Sequence, residues 1–200
     1  GFHFYSDMLK VLPEYADKQK KLIQPLPDLS NVLTSEMARY IQSSRVCFFA
    51  TKVDLSDPSG KSNQFEAIQI GQIILFFQQY FKEQQRLLSA FDIGIITPYR
   101  AQIACIREYL ISIGLDISMF TIDTVERYQG SARSIIIYSP CLNYPRQLST
   151  LVSKNTDGVD RKLNVAITRA REHFIMVGNA ELLKKSSDYA NLINYAVSKA

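Results

Sequence analysis

The sequence predicts an α/β domain built on a parallel sheet with helices on both faces. Three observations predict it. Short apolar runs at 46–50, 92–97, 117–123, 134–139 and 173–177 read continuously rather than in alternation, as strands buried on both faces do. Amphipathic helical stretches separate them, which is the βα order of a parallel sheet. The chain has 200 residues with 46% apolar content, enough for one moderate domain to bury a core without disulfides or metals.

Taken in order, residues 1–45 read as an entry segment with a short helix. Pro25 and Pro27 interrupt regular structure, and 34–44 then places Met37, Tyr40 and Ile41 on one side. After the run 46–50, Pro58-Ser59-Gly60 marks a turn, and Asn63 with Glu66 three residues on is a capping signature. A long helix follows on Phe65, Ile68, Ile73, Phe76, Phe77, Tyr80, Phe81 and Leu87. The strand 92–97 leads to Thr97-Pro98, read as cap and first turn of a helix that carries Ile103, Ile106, Leu110 and Ile113 inward and ends at Gly114. The strands 117–123 and 134–139 flank a tight turn at 124–130. Residues 140–159 form a long polar connection with little periodicity, and 179–199 supply one or two terminal helices.

The stretch 160–178, D-R-K-L-N-V-A-I-T-R-A-R-E-H-F-I-M-V-G, organises the rest. Leu163, Ala166, Ile167 and Ala170 give a helical apolar stripe, Lys162 and Arg169 stand seven apart on another face, and 173–177 is a strand. Two readings compete for Arg161, Lys162, Arg169 and Arg171: a solvated helix face, or an arginine whose planar fork reaches a phosphate. The stretch itself does not decide between them.

The net charge of +4 is compatible with a polyanionic partner without requiring one. Cys47, Cys105 and Cys141 are odd in number and flanked by apolar residues, so they read as buried thiols of a reducing, intracellular, cytoplasmic setting, with no disulfide expected. His3 and His173 have no ligand-like spacing, so no metal site is expected, and no run is long enough to cross a membrane. Opening on Gly1 rather than Met, the chain reads as a piece of something longer. In a parallel sheet, ligands sit beyond the carboxyl ends of the strands, which directs attention to 97–100, 121–133 and the helix after Asp160. No G-x-G-x-x-G follows a strand and no G-x-x-x-x-G-K-[ST] occurs, so the chain has no phosphate-cradling loop of its own.

G-I-I-T-P-Y-R-A-Q at 94–102, T-I-D-T-V-E-R-Y-Q-G at 121–130 and L-N-V-A-I-T-R-A-R at 163–171 occur in that order, with S-N-Q-F-E-A at 62–67 upstream. Together they resemble the second, C-terminal RecA-like lobe of superfamily 1 helicases, in the branch of the nonsense-mediated-decay helicase and the replication nuclease-helicase. The resemblance runs from about residue 46 to about 183, and 46–200 is read as that lobe.

The resemblance implies a P-loop NTPase-type sheet lacking its own P-loop. ATP and Mg would be held mainly by an N-terminal RecA-like lobe of the same protein, with none bound by this piece alone. Gln129, Gly130, Arg169 and Arg171 would face the nucleotide, Arg169 as the arginine finger that stabilises charge on the phosphoryl oxygens. Thr97, Pro98, Tyr99, Arg100 and Thr124 would line single-stranded DNA or RNA, with Arg127 adding charge. Where many family members carry an acidic residue after Q-G, this chain has Ala132. That departure motivates an alternative, a non-catalytic nucleic-acid-binding or scaffold module descended from such a lobe. A nuclease using Asp92, Asp123, Glu126 or Asp160 would need those carboxylates to converge on a metal, and no nuclease-like motif accompanies them.

Overall fold

The computed structural model of the protein describes residues 35–128, 132–153 and 160–198. The expected entry segment before residue 35, together with Gln129 and Gly130, lies outside these residues. Among the described residues five strands form one sheet: β1 (Val46–Ala50), β2 (Ile93–Ile96), β3 (Thr121–Asp123), β4 (Arg133–Tyr138) and β5 (Ala170–Gly178). Their order is β1-β5-β4-β2-β3, and every neighbouring pair is parallel, as the continuous apolar runs predict.

Helix α1 (Ser35–Ser43) precedes β1, α2 (Gln64–Glu83) joins β1 to β2, and α3 (Arg100–Ser112) joins β2 to β3. The short α4 (Leu148–Leu151) and then α5 (Arg161–Thr168) lie between β4 and β5, while α6 (Ala180–Leu183) and α7 (Ser187–Val197) follow the sheet. Alternation along each strand divides the core in two. Ile93, Ile95, Ile135 and Ile137 pack with Ile70, Phe77, Ile106 and Leu110 of α2 and α3. On the other face Ile96, Ile136, Phe174 and Met176 pack with Leu163 and Ala166 of α5 and Leu192 and Ile193 of α7. This is an α/β, RecA-like arrangement with helices on both faces. No helix among the described residues is long and apolar enough to cross a membrane.

Several boundaries depart from the sequence expectation. Helix α2 stops at Glu83 because Gln85 takes a φ of 55° and Arg86 N–H returns to the Phe81 carbonyl at 2.9 Å, a closing turn that satisfies the last carbonyls. Leu87 therefore lies beyond the helix and is exposed rather than buried. Thr97 does not cap α3: its N–H still extends the β2 ladder to the Asp123 carbonyl at 3.2 Å, so the cap falls to Tyr99. Gly114, at φ 80°, closes α3 as expected, since only glycine adopts that conformation cheaply. The expected strand over 117–123 is divided into a 3₁₀ turn, Ile117–Met119, and the three residues of β3.

Helix α5 ends at Thr168, so Ala170 belongs to the strand and not to the helical stripe. The Arg169 carbonyl accepts the Arg133 N–H at 3.0 Å, which draws the chain into the sheet one residue after the helix. Residues 140–153 are not a structureless connection, because a 3₁₀ turn at Pro145–Gln147 and α4 occupy them. His173 is buried, bonded through Nε2 to the Ile41 carbonyl at 3.1 Å, and burial holds its pKa down at about 4. The three cysteines are free, and burial pushes the Cys47 thiol up to about 12.

Candidate nucleic-acid and nucleotide edges

At the carboxyl edge of the sheet, β2 and β3 pair with Ile96 opposite Asp123, which brings the segments after them side by side. Thr97-Pro98-Tyr99-Arg100 leaves β2 and Thr124 leaves β3, with the Thr124 N–H held by Asp123 Oδ1 at 2.8 Å. The structure therefore brings the five expected strand-facing residues together. Their exposure differs. Thr97 is fully buried, with its N–H used in the sheet and no partner for Oγ1 among the described residues, whereas Pro98, Tyr99 and Thr124 are half-buried and Arg100 is exposed. Tyr99 caps α3 without a side-chain bond, so the first amides of that helix point outward with its positive dipole end.

Behind this edge lies a buried polar network that sequence reasoning missed. The Gln102 amide accepts the Asn63 N–H at 2.7 Å and donates to Ser139 Oγ at 3.1 Å, and Ser139 Oγ donates to Glu66 Oε2 at 2.5 Å. Glu66 Oε2 also accepts the Cys141 N–H at 3.1 Å, while Oε1 has no partner among the described residues. Burial pushes the Glu66 carboxyl up to about 7, against the hydrogen bonds that lower it. The capping signature was thus half right. Asn63 Oδ1 accepts the Glu66 N–H at 3.0 Å, but the Glu66 side chain turns into the core instead of back to the cap.

Asn143 uses its whole amide: Oδ1 takes the Asp54 N–H and Asn63 Nδ2, and Nδ2 donates to the carbonyls of Gly60 and Ser62. Gln147 Nε2 donates to the Gly60 carbonyl at 2.8 Å and lies 3.4 Å from Tyr99 Oη. The one available signal was the run of amides at positions 63, 102, 143 and 147 beside apolar strand ends, which surface polarity explains equally well without a fold.

The opposite, amino edge carries Arg169 and Arg171. Asp160 starts α5, its Oδ1 accepting the N–H groups of Lys162 at 2.9 Å and Leu163 at 3.3 Å, and burial raises its pKa. The helix runs back across the sheet, so its last turn delivers Arg169 and Arg171 to the strand beginnings. This corrects the expectation that every site residue lies beyond the strand carboxyl ends. Six residues of β4 separate the two edges, roughly 20 Å at strand rise.

Arg169 caps α5 and is half-buried, with no partner for Nε and no ion pair among the described residues. Arg171 is exposed and likewise forms no ion pair among these residues. Lys162 does behave as a surface charge, bonding the Thr150 carbonyl at 3.3 Å and lying 3.7 Å from Glu126. Ala132 is half-buried beside Arg133, whose Nη1 donates to the Ala132 carbonyl at 3.0 Å.

The four carboxylates of the nuclease reading do not converge. Asp92 is paired with Arg86 at 2.8 Å, Asp160 caps α5, and no group of three potential metal ligands occurs among the described residues.

Comparison with known proteins finds a matching family model and helicase relatives. Residues 2–181 match the family model described as AAA domain. The DNA polymerase alpha-associated DNA helicase A of Schizosaccharomyces pombe is 31% identical over 192 residues, 90% of this chain and 26% of that protein. The human DNA replication ATP-dependent helicase/nuclease DNA2 is 32% identical over 174 residues, 82% of this chain and 14% of that protein. The Drosophila melanogaster probable RNA helicase armi is 28% identical over 197 residues, 97% of this chain and 16% of that protein. The chain spans about a quarter or less of the length of these relatives. With the family model covering most of the chain and helicases among its relatives, the chain belongs to the AAA domain family, as a helicase domain.

Proposed function

We propose that this domain is the second motor lobe of an ATP-dependent helicase, gripping single-stranded DNA or RNA at its carboxyl edge and serving ATP hydrolysis at its amino edge. The observation that carries the reading is that the described members of the two expected site sets lie at opposite edges of one sheet, with Arg169 at the amino edge free of any carboxylate partner among the described residues.

At the carboxyl edge, Pro98, Tyr99 and Thr124 offer an aromatic ring, a hydroxyl and main-chain groups to a passing strand. The outward amides of α3 and exposed Arg100 attract phosphate without reading sequence. Thr97, being buried, shapes the turn instead of touching the strand. At the amino edge, Arg169 is the arginine finger for the phosphates of ATP held by an N-terminal lobe, and Arg171, Gln129 and Gly130 are assigned to the same nucleotide. ATP with its metal supplies the phosphoryl group. This chain supplies the fixed positive charge that stabilises the oxygens gaining charge as the bond breaks. With no P-loop in its sequence, this domain depends on the N-terminal lobe to hold ATP for turnover. The names of the relatives include DNA and RNA helicases, so the substrate class is single-stranded nucleic acid.

A second reading, a scaffold that binds nucleic acid without turnover, is favoured by Ala132 standing where an acidic nucleotide contact is expected. The test is strand binding by the intact protein. Tyr99→Ala and Arg100→Ala weaken single-strand affinity several-fold while Arg169→Ala leaves it within a factor of two. Equal loss from both edges overturns the two-edge reading.

A further inference from the structure

Gly94 stands on the same face of β2 as Ile96, two residues on, but where a side chain would stand the structure places the phenol of Tyr128. A Cβ at Gly94 would lie 1.8 Å from Tyr128 Oη, 2.7 Å from Tyr128 Cζ and 3.0 Å from Arg133 Cγ. Tyr128 is 1% exposed, so its ring cannot swing aside into solvent. Contacts of Tyr128 and of its neighbour Arg133 lead from here to the two edges. Tyr128 N–H donates to the Thr124 carbonyl at 3.0 Å, closing the turn that leaves β3 at the carboxyl edge. The Arg133 guanidinium lies 5.9 Å from the Tyr128 ring centre, its Nη2 donates to Thr121 Oγ1 at 2.9 Å, and the Arg133 N–H donates to the Arg169 carbonyl at 3.0 Å.

From this packing we infer that Gly94 and Tyr128 are a positioning pair for Arg169: the ring seated in the side-chain-free hollow of β2 fixes Arg133, and through it the main chain that carries Arg169. Neither residue touches nucleotide or strand. The pair sets where the Thr124 turn and the start of β4 stand on the sheet, and Arg169 follows the start of β4. The inference rests on the proposed role of Arg169. A methyl group at Gly94 displaces the ring, and a smaller side chain at Tyr128 takes the ring from one side of Arg133, leaving it to the Phe91 ring at 5.7 Å and the bonds to Ala132 and Thr121.

The experiment measures single-strand-stimulated ATP hydrolysis by the intact protein, separating kcat from the KM for ATP, with thermal melting to establish that each variant is folded at the assay temperature. Gly94→Ala and Tyr128→Leu each lower kcat tenfold or more with the KM for ATP changed less than threefold. The double variant, in which the methyl fills space that leucine vacates, recovers part of the loss caused by Gly94→Ala. Should Gly94→Ala fail to fold, Tyr128→Leu decides the matter with the hollow left intact. Folded Tyr128→Leu with wild-type kcat overturns the inference. Arg169→Ala serves as reference: if it loses turnover while both positioning variants keep theirs, only the positioning pair fails. If Arg169→Ala itself is fully active, the finger reading fails first.

Discussion

Arg45 Nη2 donates to the main-chain carbonyl of Arg171 at 2.6 Å, and Arg45 Nε donates to that of Glu172 at 2.8 Å. A guanidinium from the segment before β1 thus clasps the first turn of strand after the T-R-A-R motif, where the chain changes from helix to sheet. Its pKa is lowered by burial, yet an arginine stays charged at any working pH. Replacing Arg45 with Met removes both charge-assisted bonds, and roughly 1.5–3 kcal/mol of stability goes with them. Arg45→Lys recovers only part, because a single ammonium cannot span two carbonyls as the planar fork does. Urea unfolding of the three proteins checks this, and equal midpoints for all three would show the clasp to be idle.

Asn143 is the saturated centre of the polar network, with four bonds from one amide. Asn143→Ala leaves the Asp54 N–H and the Ser62 carbonyl without partners, while Asn63 Nδ2 keeps the Lys52 carbonyl and the Gly60 carbonyl keeps Gln147, and it destabilises the fold by about 3 kcal/mol. The same substitution loosens Gly60 and the 3₁₀ turn, whose Gln147 lies against Tyr99. Strand affinity of the intact protein therefore falls as well. A loss of stability below about 1 kcal/mol would mean that water replaces the amide readily.

Two buried groups oppose each other in their dependence on pH. Burial raises the Glu66 carboxyl from 4.5 to about 7, so the folded state binds the extra proton and stability falls as pH rises from 4.5 to 7. Burial lowers His173 from 6.5 to about 4, so the unfolded state binds the extra proton and stability rises from pH 4 to 6.5. Each effect is on the order of 3 kcal/mol, and in the wild-type protein they largely cancel. Glu66→Gln uncovers the rising limb and His173→Gln the falling one, read from unfolding midpoints between pH 4 and 8. If Glu66→Gln leaves the wild-type profile unchanged, Glu66 is not a titrating group in this range.

The parallel sheet was legible because its strands are apolar on both faces. Ile135, Ile136 and Ile137 have no polar partner to mark a solvent side. Helix ends were less legible, since Gln85 and Ile113 close their helices through backbone geometry that residue type announces only at Gly114. The motif residues could be named from the sequence, but not the edge each would occupy. Periodicity made Arg169 a face of a helix through Ala170, whereas a hydrogen bond from Arg133, distant in sequence, ends that helix at Thr168. Glu66 shows the same limit. Its spacing from Asn63 reads as a local cap, and only the approach of Ser139 and Cys141 makes burying the carboxyl possible.

The most direct measurement is single-strand-stimulated ATP hydrolysis by the intact protein beside its Arg169→Ala variant, with nucleotide binding measured on both. The two-edge motor lobe predicts a fall in kcat of about 10³-fold or more for the variant, as the loss of an arginine finger produces, with nucleotide still bound. Wild-type turnover in Arg169→Ala, or an intact protein that binds single strands and never hydrolyses ATP, would contradict it.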